Sequence, residues 1–200
     1  MSVTDNCCEN DVKTLENTAR SRLQKAALDL FADRGYDHTT AAQIAAHAGV
    51  TERTFFRHFQ DKREVLFDGE AVLRAALTTA IADAPNGLPP LDLVFLAFRS
   101  VVPLLEANRP FAEPRQAVIV ATPALAEREL TKHAVLADAL AEALVLRGVD
   151  DLAAMLAART GMMAFAHAAV TWLADPTLDL NTRLDRTQAS LTTLLRHNAD

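Results

Sequence analysis

The sequence is poor in cysteine, glycine and aromatic residues. Its 200 residues include two cysteines, six glycines, one tryptophan and one tyrosine. Cys7 and Cys8 are adjacent, so they cannot supply the spaced ligands of a zinc site or the bridges of a secreted scaffold, and we interpret them as reduced thiols. Alanine and leucine dominate, whereas runs of β-branched and aromatic residues are few. We therefore expect an all-α protein.

The sequence also lacks an excess of positive charge. Its net charge is -6 at pH 7, which argues weakly against a nucleic-acid partner. Residues 18–67, however, carry eight basic and six acidic side chains, which leaves this segment at +2. Because the local placement of charge matters more at a DNA groove than the total does, the composition leaves nucleic-acid binding open.

Long uninterrupted hydrophobic runs are missing as well. The most apolar stretches, residues 91–105 and 155–174, contain Arg99 and Arg159, whereas a membrane-spanning helix needs about twenty apolar residues in succession. We therefore predict buried core helices and no membrane partner. The chain does not open with a basic segment followed by an apolar run, so we expect a cytoplasmic protein in which residues 1–17 form a flexible arm.

The most informative segment, residues 40–59, encodes two short helices and a tight turn. Thr40 and Gln43 have the spacing of a capping box, which predicts that a helix begins there. Gly49 can adopt the left-handed backbone conformation that ends such a helix. Thr51 can cap a second helix. This pattern is typical of a helix-turn-helix motif, whose second helix lies in the major groove of DNA.

The second helix of this motif has one apolar and one polar face. Phe55 and Phe59 lie one turn apart and are predicted to point inward. In the helix-turn-helix geometry the N-terminal residues meet the bases, so Glu52, Arg53 and Thr54 are predicted to lie nearest the sequence-reading surface. Arginine suits guanine, because its forked guanidinium matches the two acceptors of that base.

The flanking segments extend the pattern. Phe31-Ala-Asp-Arg-Gly-Tyr36 precedes the motif, and Lys62-Arg-Glu-Val-Leu-Phe67 follows it. With these segments, residues 20–67 resemble the TetR family of transcriptional regulators. The resemblance implies base contacts from the start of the second helix and phosphate contacts from the rest of its outer face. The candidate DNA-binding residues are Thr40, Thr51, Glu52, Arg53, Thr54, Phe56, His58 and Lys62.

We predict about nine helices in two domains. A three-helix, helix-turn-helix DNA-binding domain spans residues 18–67, and a helical-bundle domain for ligand binding and dimerisation spans residues 68–200. The fourth helix is predicted to run without a break over residues 62–82. The fifth is predicted over residues 91–107, with a kink or break near Pro103.

The resemblance implies two tasks for the second domain, homodimerisation and enclosure of a small-molecule effector. A single helix-turn-helix reads only a few base pairs, so a homodimer on a palindromic double-stranded DNA operator is expected. The candidate pocket residues are mostly apolar, which suits a lipophilic effector, although Met and Phe at helical spacing more often form a core. They are Phe95, Phe98, Arg99, Val102, Val118, Ile119, His133, Met162, Met163, Phe165, His167 and Trp172.

Two further features of the second domain bear on its ligand. Arg99 lies in an apolar helix, so it either reaches solvent or pairs with an acid, which could be a carboxylate or phosphate of the effector. Residues 111–147 also resemble actinobacterial regulators associated with mycofactocin and acyl-coenzyme A sensing.

Metal, cofactor and enzyme functions are disfavoured. Glu129 and His133 lie one turn apart and His167 could approach them, but such pairs are common without a metal, so we predict no metal and no cofactor. The sequence has no nucleophile elbow, phosphate-binding glycine loop or Cys-x-x-Cys pair, so we predict no enzyme. The prediction is a ligand-responsive transcriptional repressor. The alternative is a helical small-molecule-binding or interaction protein without regulatory DNA binding.

Overall fold

The computed structural model describes residues 18–196, and this part of the chain is helical without a β-strand. The all-α prediction is confirmed. Within residues 18–196 there are ten α-helices and one 3-10 turn, one helix more than predicted. The α-helices are α1 (Ala19–Arg34), α2 (Ala41–His47), α3 (Glu52–His58), α4 (Glu70–Ala82), α5 (Pro90–Ser100), α6 (Val102–Ala107), α7 (Arg109–Ala121), α8 (Pro123–Leu146), α9 (Asp151–Ala174) and α10 (Leu180–Arg196), and the 3-10 turn is Glu64–Leu66.

The chain divides into two compact units between Asp68 and Gly69. The first unit contains the described residues up to 68 together with residues 117–125, and the second contains the remainder. The sequence did not predict that residues 117–125 would group with the first unit. The predicted arm, residues 1–17, lies outside the described residues.

The first unit is organised around α1. Leu23, Ala27 and Phe31 on one face of α1 are almost fully buried. This face packs against α2, α3 and the 3-10 turn, which contributes the buried Val65 and Leu66. The spacing of three to four residues between the apolar positions of α1 thus produces a single buried stripe.

The fourth helix begins later than predicted. The segment after α3 forms the 3-10 turn instead of a helical start, and α4 begins at Glu70. Gly69 has φ of 92°, a left-handed conformation that glycine adopts without the steric cost paid by other residues. The prediction of an unbroken helix over residues 62–82 is therefore wrong, because the backbone leaves the right-handed helical conformation at Gly69.

The second unit has a core built around α5 and α9. α5 packs against α4 and α9, and α9 packs against α10. Phe98 on α5 stacks on Phe165 of α9 with 4.4 Å between ring centroids. The predicted fifth helix is two helices, α5 and α6, which meet at Val101. The break precedes Pro103, a residue that fits the first turn of a helix and not its interior.

α9 is long and apolar enough to cross a membrane by length and composition alone. In this structure, 44% of its most apolar 18-residue window is buried within the protein. The buried positions face α5 and α10, as expected for a core helix of a bundle.

Gly161 allows α9 to approach α5 closely, and Gly161→Ala is expected to destabilise the second unit by about 1–3 kcal/mol. A Cβ at this position would lie 2.5 Å from Cγ1 of Val94, far closer than van der Waals contact. A loss of stability would be informative, because replacing glycine by alanine inside a helix otherwise stabilises a protein by about 1 kcal/mol. Chemical denaturation of the wild type, Gly161→Ala and the double variant with Val94→Ala measures the effect. We expect the double variant to lose less free energy of unfolding than the two single variants lose together. A Gly161→Ala variant that is as stable as the wild type, or more stable, would contradict the close packing.

Candidate nucleic-acid interface

The start of α2 has both hydrogen bonds of a capping box. The Gln43 backbone N–H donates to Oγ1 of Thr40 at 3.2 Å, and the Thr40 backbone N–H donates to Oε1 of Gln43 at 2.8 Å. These bonds satisfy backbone donors that the first turn of a helix leaves without a partner. The helix start predicted from the sequence is therefore confirmed.

The turn between α2 and α3 is short and well defined. α2 ends at His47, and Gly49 has φ of 68°. The Val50 backbone N–H then donates to the Ala45 carbonyl at 2.9 Å, which closes the turn back onto α2. Only the four residues from 48 to 51 therefore join α2 to α3.

α3 is capped at its start and buried on one side. Oγ1 of Thr51 accepts from the Thr54 backbone N–H at 3.2 Å. The Phe55 side chain is 0% exposed and that of Phe59 is 4% exposed, with 5.7 Å between their ring centroids. Two buried aromatic rings one turn apart therefore fix which face of α3 remains outside, as the sequence predicted.

The outer face of this region carries most of the predicted DNA-contacting side chains. Thr40, Thr51, Glu52 and Arg53 are exposed. Phe56 is 53% exposed, which is unusual for a phenylalanine so close to a core. Thr54 is half-buried, and its hydroxyl lies 3.0 Å from that of Thr51. The positions of these six side chains are compatible with contacts to DNA, and the contacts themselves stay predictions.

His58 and Lys62 are oriented differently. The Nε2 atom of His58 is buried and has no hydrogen-bond partner among residues 18–196, so this nitrogen is shielded from solvent. Nζ of Lys62 donates to the carbonyls of Tyr36 and Thr39 at 2.8 and 3.0 Å. A lysine ammonium has three donors, so one remains for a phosphate. The predicted phosphate contacts of both residues stay predictions.

A polar clamp that the sequence did not predict joins the start of α1 to the end of the first unit. Nε and the terminal Nη2 of Arg20 each donate to a different carboxylate oxygen of Asp68 at 2.5 Å, and Gln24 donates to the same carboxylate at 3.2 Å. The Arg20 guanidinium also lies 5.4 Å from the centroid of the Phe59 ring. Two charges 48 residues apart in the chain give no local signal, so sequence reasoning could not pair them.

The predicted effector residues do not share one environment. Six of them belong to the core of the second unit, and Ile119 and Val118 fall in the segment that groups with the first unit. Met163 is 65% exposed and His167 is also exposed. The six core residues are Phe95, Phe98, Val102, Met162, Phe165 and Trp172. Their packing matches the core alternative raised by the sequence.

Arg99 is satisfied within the protein. Its guanidinium donates to Oδ1 of Asp185 at 2.7 Å and to Oε1 of Gln188 at 2.5 Å, and Gln188 in turn donates to Asp92 at 2.7 Å. A shallow depression lies over these groups on α5 and α10. Of the two alternatives for Arg99, the structure shows the pairing with an acid of the protein.

Arg115, Glu129 and His133 form a half-buried polar cluster on α7 and α8. The Arg115 guanidinium donates to Oε1 of Glu129 at 3.1 Å, and both side chains are largely shielded from solvent. Burial lowers the pKa of His133, although the negative charge of Glu129 acts in the opposite direction. Burial also lowers the pKa of Arg115. Within residues 18–196, no three His, Cys, Asp or Glu side chains are grouped as metal ligands, so Glu129, His133 and His167 do not come together.

Comparison with known proteins supports the geometry of the first unit. The family described as "Bacterial regulatory proteins, tetR family" matches residues 23–68. The transcriptional regulator TcmR of Streptomyces glaucescens is 42% identical over 83 residues, which cover 42% of this chain and 37% of TcmR. The curated relatives are thus matched over about two fifths of their length, 37% and 43%. The family resemblance predicted from the sequence is confirmed.

Two solved structures share the fold over most of the chain. FadR of Thermus thermophilus, described as a TetR family transcriptional repressor in complex with lauroyl-CoA, is 26% identical with a TM-score of 0.53, covering 86% of this chain and 93% of FadR. A complex of SmeT with triclosan is 20% identical with a TM-score of 0.61, covering 86% of this chain and 90% of SmeT. SmeT is described as the repressor of a Stenotrophomonas maltophilia multidrug efflux pump. FadR and SmeT are both described as repressors.

Proposed function

Because residues 23–68 match the family of bacterial regulatory proteins described as the tetR family, we propose that this chain is a ligand-responsive transcriptional regulator. It is a repressor that binds a palindromic DNA operator as a homodimer in the cytoplasm, and a small lipophilic effector releases it. The observation that carries the proposal is α3, a capped helix with two buried phenylalanines and an exposed polar face. The proposal includes no cofactor, metal or membrane partner.

The DNA contacts follow from the position of each side chain along α3. Glu52 and Arg53 stand at the helix start, where a recognition helix meets base edges. Thr40 and Thr51 are exposed at the N-termini of α2 and α3, and hydroxyls at such positions can donate to phosphates. Phe56 adds an exposed aromatic surface against the DNA backbone. Thr54 and His58 complete the proposed set of contacts, whereas the Lys62 ammonium is held by the Tyr36 and Thr39 carbonyls.

The homodimer is proposed to form through α9. Its outer face exposes Leu152, Leu156, Met163 and Val170, whose side chains are 61, 54, 65 and 43% exposed. Leu156, Met163 and Val170 follow one another at intervals of seven residues, so they form one stripe along the helix. We call these three residues and Leu152 the α9 stripe. An apolar stripe of this length is typical of a protein-protein contact, and a second copy of the chain supplies an identical stripe.

The effector is proposed to be lipophilic because the second unit offers an apolar interior and because two fold relatives bind such molecules. FadR is described with lauroyl-CoA and SmeT with triclosan. Effector binding shifts an equilibrium between a DNA-binding and a released form. A coupling free energy of about 1–3 kcal/mol, or roughly 5- to 150-fold in operator affinity, is the usual scale for such a switch.

Arg53→Ala is expected to cost about 1–3 kcal/mol of operator binding and to relax base preference at one position of each half-site. The reason is that a guanidinium pairs with two acceptors of one base and its loss leaves that base unread. Affinity measured against operators substituted at each position in turn gives the specificity profile. A profile identical to that of the wild type would remove Arg53 from the base contacts.

A gel-shift titration of the full chain on the DNA upstream of its own gene tests the proposed function. We expect retardation at moderate salt, competition by the same duplex and not by unrelated DNA, and release by a lipophilic ligand such as an acyl-coenzyme A. No retardation at moderate salt would favour the alternative, a helical small-molecule-binding or interaction protein.

A further inference from the structure

Lys62 occupies a cage made by the turn between α1 and α2. Its ammonium donates to the Tyr36 and Thr39 carbonyls at 2.8 and 3.0 Å. The same nitrogen lies 4.1 Å from the centroid of the Tyr36 ring, within the range of a cation-π interaction. The Lys62 side chain is half-buried. The ammonium group thus points into the protein, where two carbonyl oxygens and one aromatic ring, all neutral, attract its positive charge.

The cage connects the two ends of the helix-turn-helix. Thr39 immediately precedes Thr40, which caps α2. Thr39 itself is 1% exposed, and its hydroxyl donates to the Gly35 carbonyl at 2.9 Å. Lys62 follows the end of α3 at His58 by four residues. The bond to the Thr39 carbonyl therefore ties the residue before the α2 cap to the segment after α3, over 23 positions in the chain, and the bond to the Tyr36 carbonyl spans 26 positions.

We propose that Lys62 is a positioning residue for DNA recognition, which sets α2 relative to α3 through its bonds to the Tyr36 and Thr39 carbonyls. This inference rests on the proposed DNA-binding function and deepens it. The carbonyl oxygens take two of the three ammonium donors, and the Tyr36 ring covers another side of the nitrogen. Sequence-specific operator binding then depends on the orientation of α2 relative to α3 that Lys62 maintains. A phosphate contact by Lys62 would instead contribute only electrostatic attraction to any DNA.

Arg63 provides a matched control one residue away. Its side chain is 52% exposed, and its guanidinium donates to Oδ2 of Asp61 at 2.7 and 3.1 Å. Arg63→Met removes the same charge as Lys62→Met from the same segment without opening the cage. Lys62→Arg retains the charge but replaces a compact ammonium by a larger planar fork, which does not fit the same space between the two carbonyls and the ring.

The experiment measures the affinities of the wild type and these variants for two duplexes over a range of salt concentrations. One duplex is selected by the wild type from a random library, and the other is an unrelated duplex of equal length. For Lys62→Met we expect operator affinity to fall by about tenfold or more, the scale of lost hydrogen bonds from a charged donor. We expect affinity for the unrelated duplex to change no more than in Arg63→Met, and the salt dependence of operator binding to match that of Arg63→Met. Lys62→Arg should also lose operator affinity.

Tyr36→Leu tests the cage without altering any charge. The substitution removes the ring face but leaves the carbonyl, so it is expected to lower the ratio of operator to unrelated affinity, as Lys62→Met does. Tyr36→Phe, which retains the ring, should keep that ratio. The losses in Lys62→Met and Tyr36→Leu should be less than additive in the double variant, because both act on one cage. If Lys62→Met does not fold, Lys62→Arg and the two Tyr36 variants decide the question.

A phosphate contact gives a different result. Lys62→Met would then lose affinity for both duplexes alike, its salt slope would fall by about 0.9 relative to the wild type and to Arg63→Met, and Tyr36→Leu would bind as the wild type does. That outcome would overturn the positioning role. A wild type that selects no sequence from the library would instead refute the proposed function, so the two failures are distinguishable.

Discussion

The double substitution Leu156→Glu and Met163→Glu is expected to convert the dimer to a monomer and to weaken operator binding about a hundredfold or more. Both side chains lie in the α9 stripe and are more than half exposed in the single chain. In a two-fold interface each residue acts on both subunits, so the pair places four carboxylates in one contact region. Burying charges without partners costs several kcal/mol each, more than such a contact can offset.

The loss of DNA affinity follows from the loss of linkage. In a dimer, binding of one recognition helix holds the second near its half-site at a high effective concentration. A monomer loses this advantage although its own DNA-contacting face is unchanged. Base preference within one half-site should therefore survive in the double variant, while affinity for the complete operator falls.

Leu130→Glu is the matched control, because Leu130 on α8 is 69% exposed and lies outside the α9 stripe. Analytical ultracentrifugation gives the oligomeric state, and a titration of the full operator gives the affinity. We expect Leu130→Glu to remain a dimer with the affinity of the wild type. A double variant in α9 that still sediments as a dimer would show that the stripe is not the interface.

Phe55→Ala is expected to remove about 3–5 kcal/mol from the stability of the first unit and to abolish DNA binding. Phe55 is 0% exposed, and its ring contacts those of Phe56 and Phe59 at centroid distances of 5.3 and 5.7 Å. Truncation leaves a cavity that two short helices cannot close without moving. Since a small domain has only about 5–15 kcal/mol of net stability, such a loss is a large share of it.

Phe56→Ala separates folding from DNA contact at the next position. Its side chain is 53% exposed, so we expect thermal unfolding close to that of the wild type and a weaker affinity for DNA. Circular dichroism and a DNA titration of the two variants measure both properties. Equal stability of Phe55→Ala and the wild type would contradict the buried position of Phe55, and unchanged DNA affinity of Phe56→Ala would remove Phe56 from the contact surface.

The sequence predicted those features of the first unit that depend on neighbouring residues. Three of these features each involve residues within one helical turn, and the structure has all three as predicted. They are the capping box of Thr40 and Gln43, the left-handed Gly49 and the Thr51 cap. The inward direction of Phe55 follows from helical periodicity alone. Local hydrogen bonds and local spacing therefore sufficed to place the helix-turn-helix.

Features that depend on distant contacts were not predictable in this way. A helix was predicted from residue 62, yet residues 64–66 form a 3-10 turn, and α4 begins after Gly69. The Lys62 cage and the Arg20 clamp join residues 23 to 48 positions apart. Nothing in the local sequence distinguishes a lysine that bonds to carbonyls of a distant turn from one that faces a phosphate.

The second unit was predicted least completely because composition does not separate core from pocket. Phe98 and Phe165 are of a residue type that suits a core and a ligand pocket equally, and in the structure their rings stack in the core. Arg99 could pair with the protein or with an effector, and Asp185, 86 residues away, accepts its hydrogen bond. Such choices are made by tertiary packing, which a single sequence does not display.

Selection of double-stranded DNA from a random library by the full wild-type chain tests the central claim most directly. We predict enrichment of an inverted repeat whose half-sites lie about one helical turn or a multiple of it apart, bound by an even number of chains. Failure to enrich any sequence, with equal and weak binding to all duplexes, would contradict the claim that this protein is a sequence-reading regulator.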